Sequence, residues 1–146
     1  PDIKLNLVGK GNKTYKSKLI KYIKKNNLKK NIKFYGALYG KDKWKQFYSN
    51  TIQVVPSRDE GFGNVVIEGM LCGIPVIHSN KGALPEAAGG KGIAFNINNP
   101  KKLADKIIRL LENKELRENI AKEAKEYALR YTKNNIGKET IKEYKK

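Results

Sequence analysis

Two glutamates, Glu60 and Glu68, are separated by seven residues around a glycine-containing turn. Two carboxylates at this spacing could accept hydrogen bonds from a ligand. The apolar run at 51–55 before the turn is typical of a buried parallel strand, which Pro56 would end. The pattern after the turn predicts a helix over 64–71. Glycines let such a turn approach a ligand closely, and the free amides at the start of the helix can face an anion or hydroxyl groups.

The turn itself contains Gly61, Phe62 and Gly63. If Asn64 opens the helix, Glu68 lies one turn further along the same face, roughly 6 Å along the helix axis. Acceptor groups at two depths suit a ligand with hydroxyls at two places, such as a hexose and a ribose joined by a diphosphate. On spacing alone, purely structural roles for the two acids remain open, one at a helix start and one on an exposed helical face.

The elements that must position these residues follow an alternating pattern. Apolar runs at 3–8, 32–35, 52–55, 75–78 and 92–95 predict strands, and helical patterns lie between them. This alternation predicts an α/β fold with a Rossmann-like parallel sheet and helices on both faces. In the first helix, Tyr15, Leu19, Tyr22 and Ile23 recur at the spacing of core residues. Three later apolar stripes predict a helical C-terminal extension; they are Leu103, Ile107, Leu110 and Leu111, then Leu116, Ile120, Ala124 and Tyr127, then Ile136, Thr140, Ile141 and Tyr144.

The charge of the chain is strongly positive, with 31 basic residues against 14 acidic ones and a formal net charge of +17. One interpretation is a solvated basic surface, and another is attraction to anionic lipid headgroups, to which each nearby lysine adds about 1 kcal/mol. Nucleic acid is the competing partner. Only four of the basic residues are arginines, and the motifs of zinc fingers, helix-turn-helix proteins and RNA-recognition domains are absent, so no specific nucleic-acid partner is expected.

Other reactive residues are few. A single cysteine, Cys72, cannot form an internal disulfide and is consistent with the cytosol. The single histidine, His78, is expected to serve packing or capping, and without a second histidine or an acidic cluster at ligand spacing no metal site is predicted. Arg58 could orient the Glu60 carboxylate by a charge-assisted hydrogen bond, and Glu86 is expected to cap a helix.

The segment from Glu60 to Glu68 resembles the Glu-x7-Glu signature of retaining glycosyltransferases of the GT-B fold, the large family 4 group. The resemblance extends over nearly the whole chain in the same order. It includes the strand and glycine loop at 3–11, the strand at 32–36, the Gly-x-Pro-Val-Ile segment at 73–77 and the Gly-x-x-x-Glu segment at 82–86.

The resemblance implies that residues 1–146 are part of a C-terminal domain that binds a nucleotide sugar. The N-terminal acceptor domain and the first strand and helix of the donor domain are then expected outside these residues, and the isolated chain is expected to be inactive. By position, Glu60 would contact the donor sugar and support the transition state, while Glu68 would hold the ribose hydroxyls. The remaining donor-binding residues implied are Gly61, Phe62, Gly63 and Asn64 in the turn, and Gly9 and Gly11 after the first strand.

The function implied is transfer of a hexose from a nucleoside diphosphate sugar, with retention, to a sugar or lipid-linked acceptor, in bacterial surface polysaccharide or glycolipid synthesis. No cofactor or metal is expected. The expected location is the cytoplasm, with an anionic surface at the inner membrane face as a further candidate partner. The alternative is a noncatalytic module that binds sugar nucleotides, or an inactive fragment of an enzyme.

Overall fold

The computed structural model describes residues 3–144, apart from the side chains of residues 138–140 and 142–144. The chain divides into two compact units, and the division falls between Lys45 and Gln46. Strands and helices alternate through both units. The predicted strands are present in type and order, and their ends shift by one or two residues.

The first unit contains two parallel strands, β1 (Leu5–Val8) and β2 (Ile32–Gly36), joined by helix α1 (Lys13–Lys25). Leu5 is paired with Ile32 in the register of the two strands. The side chain of Asn12 begins α1 by accepting hydrogen bonds from the amides of Thr14 and Tyr15. This cap satisfies two of the amides that have no partner within a helix.

The prediction that Tyr15 and Tyr22 belong to the core was wrong. Both side chains are 62% exposed, whereas Ile23 on the same helix is only 7% exposed. Leu19 is half-buried. The buried stripe of α1 is therefore narrow, and the two tyrosines lie at its margin because each is about 80–100° of helical rotation from Ile23.

The second unit is built on a sheet of three parallel strands, β3 (Gln53–Val55), β4 (Val76–Ser79) and β5 (Ile93–Phe95), with β4 in the centre. Every residue of β4 is buried. The helices are α2 (Gly40–Tyr48), within which the division between the units falls, and then α3 (Asn64–Leu71), α4 (Leu84–Ala88), α5 (Pro100–Glu112), α6 (Lys114–Ala128) and α7 (Lys133–Tyr144). A 3-10 turn at Leu129–Tyr131 joins α6 to α7.

Helices cover both faces of this sheet, as predicted. Val76 packs in a cluster with residues of α3, α4 and α6, while the next residue of β4, Ile77, packs with Leu110 of α5 on the opposite side. Side chains alternate between the faces of a strand, so a buried central strand needs a cover on each side. The five strands form two parallel sheets, β1 with β2 and β3 with β4 and β5, where the sequence pattern had indicated a single sheet.

The C-terminal extension is helical, as predicted, but the described side chains of its last stripe are not buried. The first two predicted stripes pack on the sheet through residues such as Leu110 and Ala124. In α7, however, Ile136 and Ile141 are 48% and 56% exposed. The predicted contributions of Thr140 and Tyr144 concern side chains outside the described residues. Nowhere in residues 3–144 does a helix have the length and apolar character needed to cross a membrane.

Candidate functional site

The turn between β3 and α3 has the form that the sequence predicted. Pro56 follows the last residue of β3, and α3 begins at Asn64. Gly63 precedes the helix in a left-handed conformation, with φ of 81°, and no side chain caps the helix start at this position. Gly63 thus provides no side-chain cap for the first amides of α3, and the positive end of the helix dipole lies at this turn.

The carboxylate of Glu60 is held by a serine that the sequence analysis did not single out. The Ser57 hydroxyl donates a hydrogen bond of 2.8 Å to Glu60 Oε1. The hydroxyl of Ser79, which is fully buried at the end of β4, donates in turn to the Ser57 carbonyl. Within the described part of the chain, the donor to the Glu60 carboxylate is thus Ser57, not Arg58, because the turn places the Ser57 hydroxyl within direct reach of that carboxylate.

The backbone of Glu60 is fixed by the loop that follows β4. The amide of Ala83 donates to the Glu60 carbonyl over 3.2 Å. A Cβ atom added at Gly82 would lie 2.9 Å from the Glu60 nitrogen, so only glycine allows the two backbones this close. Glu60 is therefore held through its side chain by Ser57, which follows β3, and through its backbone by the loop at the carboxyl end of β4. This edge is where open parallel sheets bind ligands.

The three residues after Glu60 have different surroundings. Gly61 is exposed, and a Cβ atom added to it would meet open space. Phe62 is 57% exposed and contacts Tyr131 edge to face, with ring centroids 6.2 Å apart. Gly63 is buried, and a Cβ atom there would lie only 2.8 Å from Ala87 Cβ. The open space beside this turn thus begins at Gly61, while Gly63 is a packing position.

Glu68 lies on α3, four residues after Asn64, so the two share a helical face as predicted. Glu68 is half-buried and Asn64 is exposed. The next residue, Gly69, lets α3 pack closely on β3, because a Cβ atom there would overlap the side chain of Gln53. Gln53 also donates a hydrogen bond of 2.9 Å to the Val65 carbonyl. Helix α3, and with it Glu68, is thereby held closely on the sheet.

The aromatic contact of Phe62 continues into the C-terminal helices. The hydroxyl groups of Tyr131 and Tyr127 share a hydrogen bond of 3.2 Å, which, with burial, raises the pKa of Tyr131 above its usual value. The Tyr127 hydroxyl also donates to the Glu86 carbonyl over 3.4 Å. Gly89 makes room for the Tyr127 ring, because a Cβ atom there would overlap it. The sequence analysis placed Tyr127 on a helix stripe but gave no sign that Tyr131 contacts the turn.

His78 is a packing residue, as expected from the sequence. It is 2% exposed, and its Nδ1 atom lies 2.9 Å from the Ser79 carbonyl, to which it donates when protonated there. Burial lowers the pKa of His78 below its usual value, and the hydrogen bond to Ser79 opposes the shift. Gly92 leaves space for the imidazole, because a Cβ atom at Gly92 would lie 2.7 Å from His78 Cδ2. Glu86 lies in the first turn of α4, where its charge complements the helix dipole.

Gly9 and Gly11 lie in the first unit, in the loop between β1 and α1. Both have positive φ angles, 142° and 61°, and both have open space where a Cβ atom would be. The Gly9 amide donates a hydrogen bond of 2.8 Å to the Gly36 carbonyl. Their participation in donor binding stays a prediction. Among the described residues, no group of three or more histidine, cysteine, aspartate or glutamate side chains is placed to hold a metal ion.

Comparison with known proteins identifies the family. Residues 1–127 match the family described as glycosyl transferases group 1. The chain belongs to this family. The uncharacterized glycosyltransferase MJ1178 of Methanocaldococcus jannaschii is 37% identical over 133 residues, which are 90% of this chain and 37% of that protein. The N,N'-diacetylbacillosaminyl-diphospho-undecaprenol alpha-1,3-N-acetylgalactosaminyltransferase of Campylobacter jejuni is 38% identical over 64% of this chain and 25% of that protein.

Solved structures with the same fold include HepE of Anabaena. Its complex with UDP matches 99% of this chain and 41% of the HepE chain, with a TM-score of 0.86 and 26% identity. Its complex with UDP-glucose matches 88% of this chain and 36% of the HepE chain, with a TM-score of 0.79 and 28% identity. These matches confirm the predicted Rossmann-like fold of a GT-B half. The family member described here spans about two fifths or less of the length of these relatives.

Proposed function

We propose that this chain is the donor-binding part of a retaining glycosyltransferase that moves a hexose from a nucleoside diphosphate sugar to a sugar or lipid-linked acceptor. The observation that carries the proposal is the fixed position of Glu60 beside an open turn. Its carboxylate is held by Ser57 and its backbone by Ala83, next to the exposed Gly61 and the uncapped start of α3. The N-terminal acceptor domain and the first strand and helix of the donor domain are supplied outside these residues.

In this proposal the turn binds the two ends of the donor. The amides of Gly61, Phe62, Gly63 and Asn64 donate to the sugar and to the diphosphate, whose charge the helix dipole of α3 stabilises. Glu68, one turn into α3, accepts hydrogen bonds from the ribose hydroxyls. The assignment of Gly9 and Gly11 to donor binding rests on the family resemblance alone. UDP is the favoured carrier, because HepE was solved with UDP and with UDP-glucose.

The chemistry that Glu60 would support is cleavage of the bond between the sugar and the diphosphate. An oxocarbenium-like centre develops on the sugar while negative charge grows on the leaving diphosphate. Glu60 positions the sugar, and the helix amides meet the charge on the leaving group in a preorganised arrangement. The acceptor hydroxyl oxygen then bonds to the anomeric carbon on the face that the diphosphate left, and its proton passes to the departing nucleoside diphosphate. The reaction uses neither a metal ion nor a cofactor.

Lipid-linked acceptors and polysaccharide synthesis are the proposed setting. The relative from Campylobacter jejuni carries a diphospho-undecaprenol acceptor in its name, and an Escherichia coli relative is an O-antigen chain mannosyltransferase. A cytoplasmic protein at the inner membrane face would meet both a soluble nucleotide sugar and such an acceptor. A noncatalytic module that binds sugar nucleotides is the alternative, and it would share the binding site without turnover.

Calorimetric titration of the chain with UDP, GDP, ADP and single-stranded DNA at two salt concentrations tests the proposal. We expect selective binding of one nucleotide that persists at the higher salt. Gly61→Ala should weaken this binding at least about tenfold, because its new methyl group enters the space assigned to the donor. Gly137→Ala is the matched control, because a Cβ atom there also meets open space but lies on α7.

Glu68→Ala should weaken nucleotide binding by a similar factor through loss of the ribose contacts. The proposal fails if both Gly61→Ala and Glu68→Ala bind as tightly as the unaltered chain, or if the chain binds only DNA. If the chain binds no nucleotide, the same titration is repeated on a longer protein that includes the first strand and helix of the donor domain. Failure of that protein to bind any nucleotide would overturn the assignment.

A further inference from the structure

The positive charge of the chain is concentrated in the first unit. Between Ile3 and Lys41 there are twelve lysines and no acidic residue. The second unit, from Gln46 onward, has 17 basic residues against 12 acidic ones in more than twice the length. A charge of one sign without interspersed acids creates a field that attracts an extended anionic surface.

Helix α1 contributes six of these lysines and contains no acidic residue. Tyr15, Lys18, Tyr22 and Lys25 follow one another at spacings of three, four and three residues, so they form one continuous stripe along the helix. All four are exposed, and the tyrosines are 62% exposed. We call these four residues the Tyr/Lys stripe.

The four residues of the Tyr/Lys stripe are rotated by about 80–160° around α1 from Ile23, which is 7% exposed. Lys16 lies on another side of the helix, and its ammonium group rests 5.2 Å from the centre of the Phe34 ring. Lys16 and Lys18 therefore carry the same charge but lie on different sides of α1. This difference supplies a matched control within a single helix.

We propose that the Tyr/Lys stripe docks the protein on an anionic phospholipid bilayer, with α1 lying along the membrane surface. Tyrosine has an apolar ring and a polar tip, which suit the boundary between headgroups and acyl chains. Lysine stems can lie along that boundary while the ammonium groups meet lipid phosphates. The 13-residue helix is about 20 Å long, which gives its exposed side room to lie along a flat surface.

The same features fit nucleic acid less well. All four arginines lie in the second unit, so the first unit has none of the forked side chains that read guanine. Proteins that bind single strands use a positively charged groove lined with aromatic rings, whereas the stripe lies on the outer side of a helix. Binding to DNA is therefore an outcome that the experiment must be able to reveal.

Cosedimentation of the chain with vesicles at physiological salt tests the proposal, using phosphatidylcholine vesicles with and without phosphatidylglycerol. We expect binding only to the anionic vesicles. The double variant Lys18→Gln with Lys25→Gln should weaken it roughly thirtyfold, about fivefold for each lysine. The control Lys16→Gln with Lys24→Gln makes the same change in charge on another side of α1 and should weaken binding by less than about fivefold.

Substitution of the two tyrosines distinguishes insertion of side chains into the bilayer from simple attraction between charges. Tyr15→Ala with Tyr22→Ala leaves the charge unchanged and should weaken vesicle binding roughly tenfold through loss of buried apolar surface. Tyr48→Ala is the control, because Tyr48 is 70% exposed but lies outside α1. Circular dichroism checks that every variant remains folded.

Three results would overturn the proposal. One is an equal loss of binding in the two lysine pairs, which would show that total charge alone decides the attraction. Another is unchanged vesicle binding after removal of both tyrosines. The third is binding to duplex or single-stranded DNA that is tighter than binding to the anionic vesicles at the same salt concentration. None of these results depends on nucleotide binding, so the proposed function is tested separately.

Discussion

The two units of the chain differ in what their side chains do. Among the described residues of the first unit, Ile23 is the single hydrophobic side chain that is less than a tenth exposed, and the lysines dominate the surface. The second unit buries a central strand, two hydrophobic clusters and the serine that supports the Glu60 turn. A candidate site thus needs a densely packed support, whereas a charged surface needs only an exposed helix.

Substitution of Glu60 should produce the largest effect on activity, because the proposed site lies in the second unit. In the full protein that the proposal implies, Glu60→Ala should lower kcat by about a thousandfold, because a preorganised electrostatic contact to the reacting sugar is lost. Its dissociation constant for the nucleotide should change by less than about threefold, because Glu60 is assigned to the sugar. Release of nucleotide and calorimetry measure the two quantities.

Glu68→Ala provides the opposite control for Glu60. It should weaken nucleotide binding more than it lowers kcat. If both glutamate variants match the unaltered protein in kcat and in binding, the second unit does not hold the site, and the contrast between the units is lost.

Truncation of the buried residue of α1 should have the next largest effect. Ile23→Ala should lower the free energy of unfolding by about 3 kcal/mol, through lost apolar burial and a new cavity. Tyr22→Ala, at the neighbouring position, should lower it by less than about 1 kcal/mol because the ring is 62% exposed. Urea unfolding measures both. Equal losses would restore the original prediction that Tyr22 belongs to the core.

Gly63→Ala should lower the free energy of unfolding of the second unit by about 2 kcal/mol. The residue has a φ of 81°, which strains any side chain, and the new methyl group would meet buried Ala87 at 2.8 Å. Gly61→Ala should leave the free energy of unfolding within about 0.5 kcal/mol, because its methyl group meets open space. Urea unfolding measures both variants. Equal stability of Gly63→Ala and Gly61→Ala would contradict the packing assigned to Gly63.

The smallest expected effect is a dependence of stability on pH through His78. Burial lowers its pKa below the usual 6.5, so the unfolded chain binds a proton more readily than the folded one. The stability contributed by neutral His78 is complete above pH 6.5 and falls as the pH decreases below it. The slope is at most about 1.4 kcal/mol per pH unit.

Unfolding at pH 7.5 and pH 5.5 measures this slope, and comparison with His78→Gln removes the contributions of other groups. The variant should lose less stability between the two pH values than the unaltered chain. An identical loss in both would show that His78 does not titrate differently in the folded and unfolded states.

The local elements could be predicted from the sequence because their signals are local. Periods of two and of about 3.6 residues indicated strands and helices, and Asn64 was correctly placed at the start of α3. The apolar run at 52–55 and the alternation of elements were enough to predict helices on both faces of the sheet. The same periodicity could not place Tyr15 and Tyr22, because the width of the surface beneath α1 decides how far the buried stripe extends around the helix.

The support of Glu60 depended on the tertiary structure. Ser57 and Ser79 are 22 positions apart, and no spacing rule indicates that one hydroxyl would fix the carbonyl of the other. Likewise, Gly82 reads as an ordinary turn residue until the fold brings it against the Glu60 backbone. The elements, their order and the candidate site residues could be predicted from local signals, because those depend on neighbours along the chain. Only the packing of β3 beside β4 decided which groups hold them in place, because that depends on contacts between distant segments.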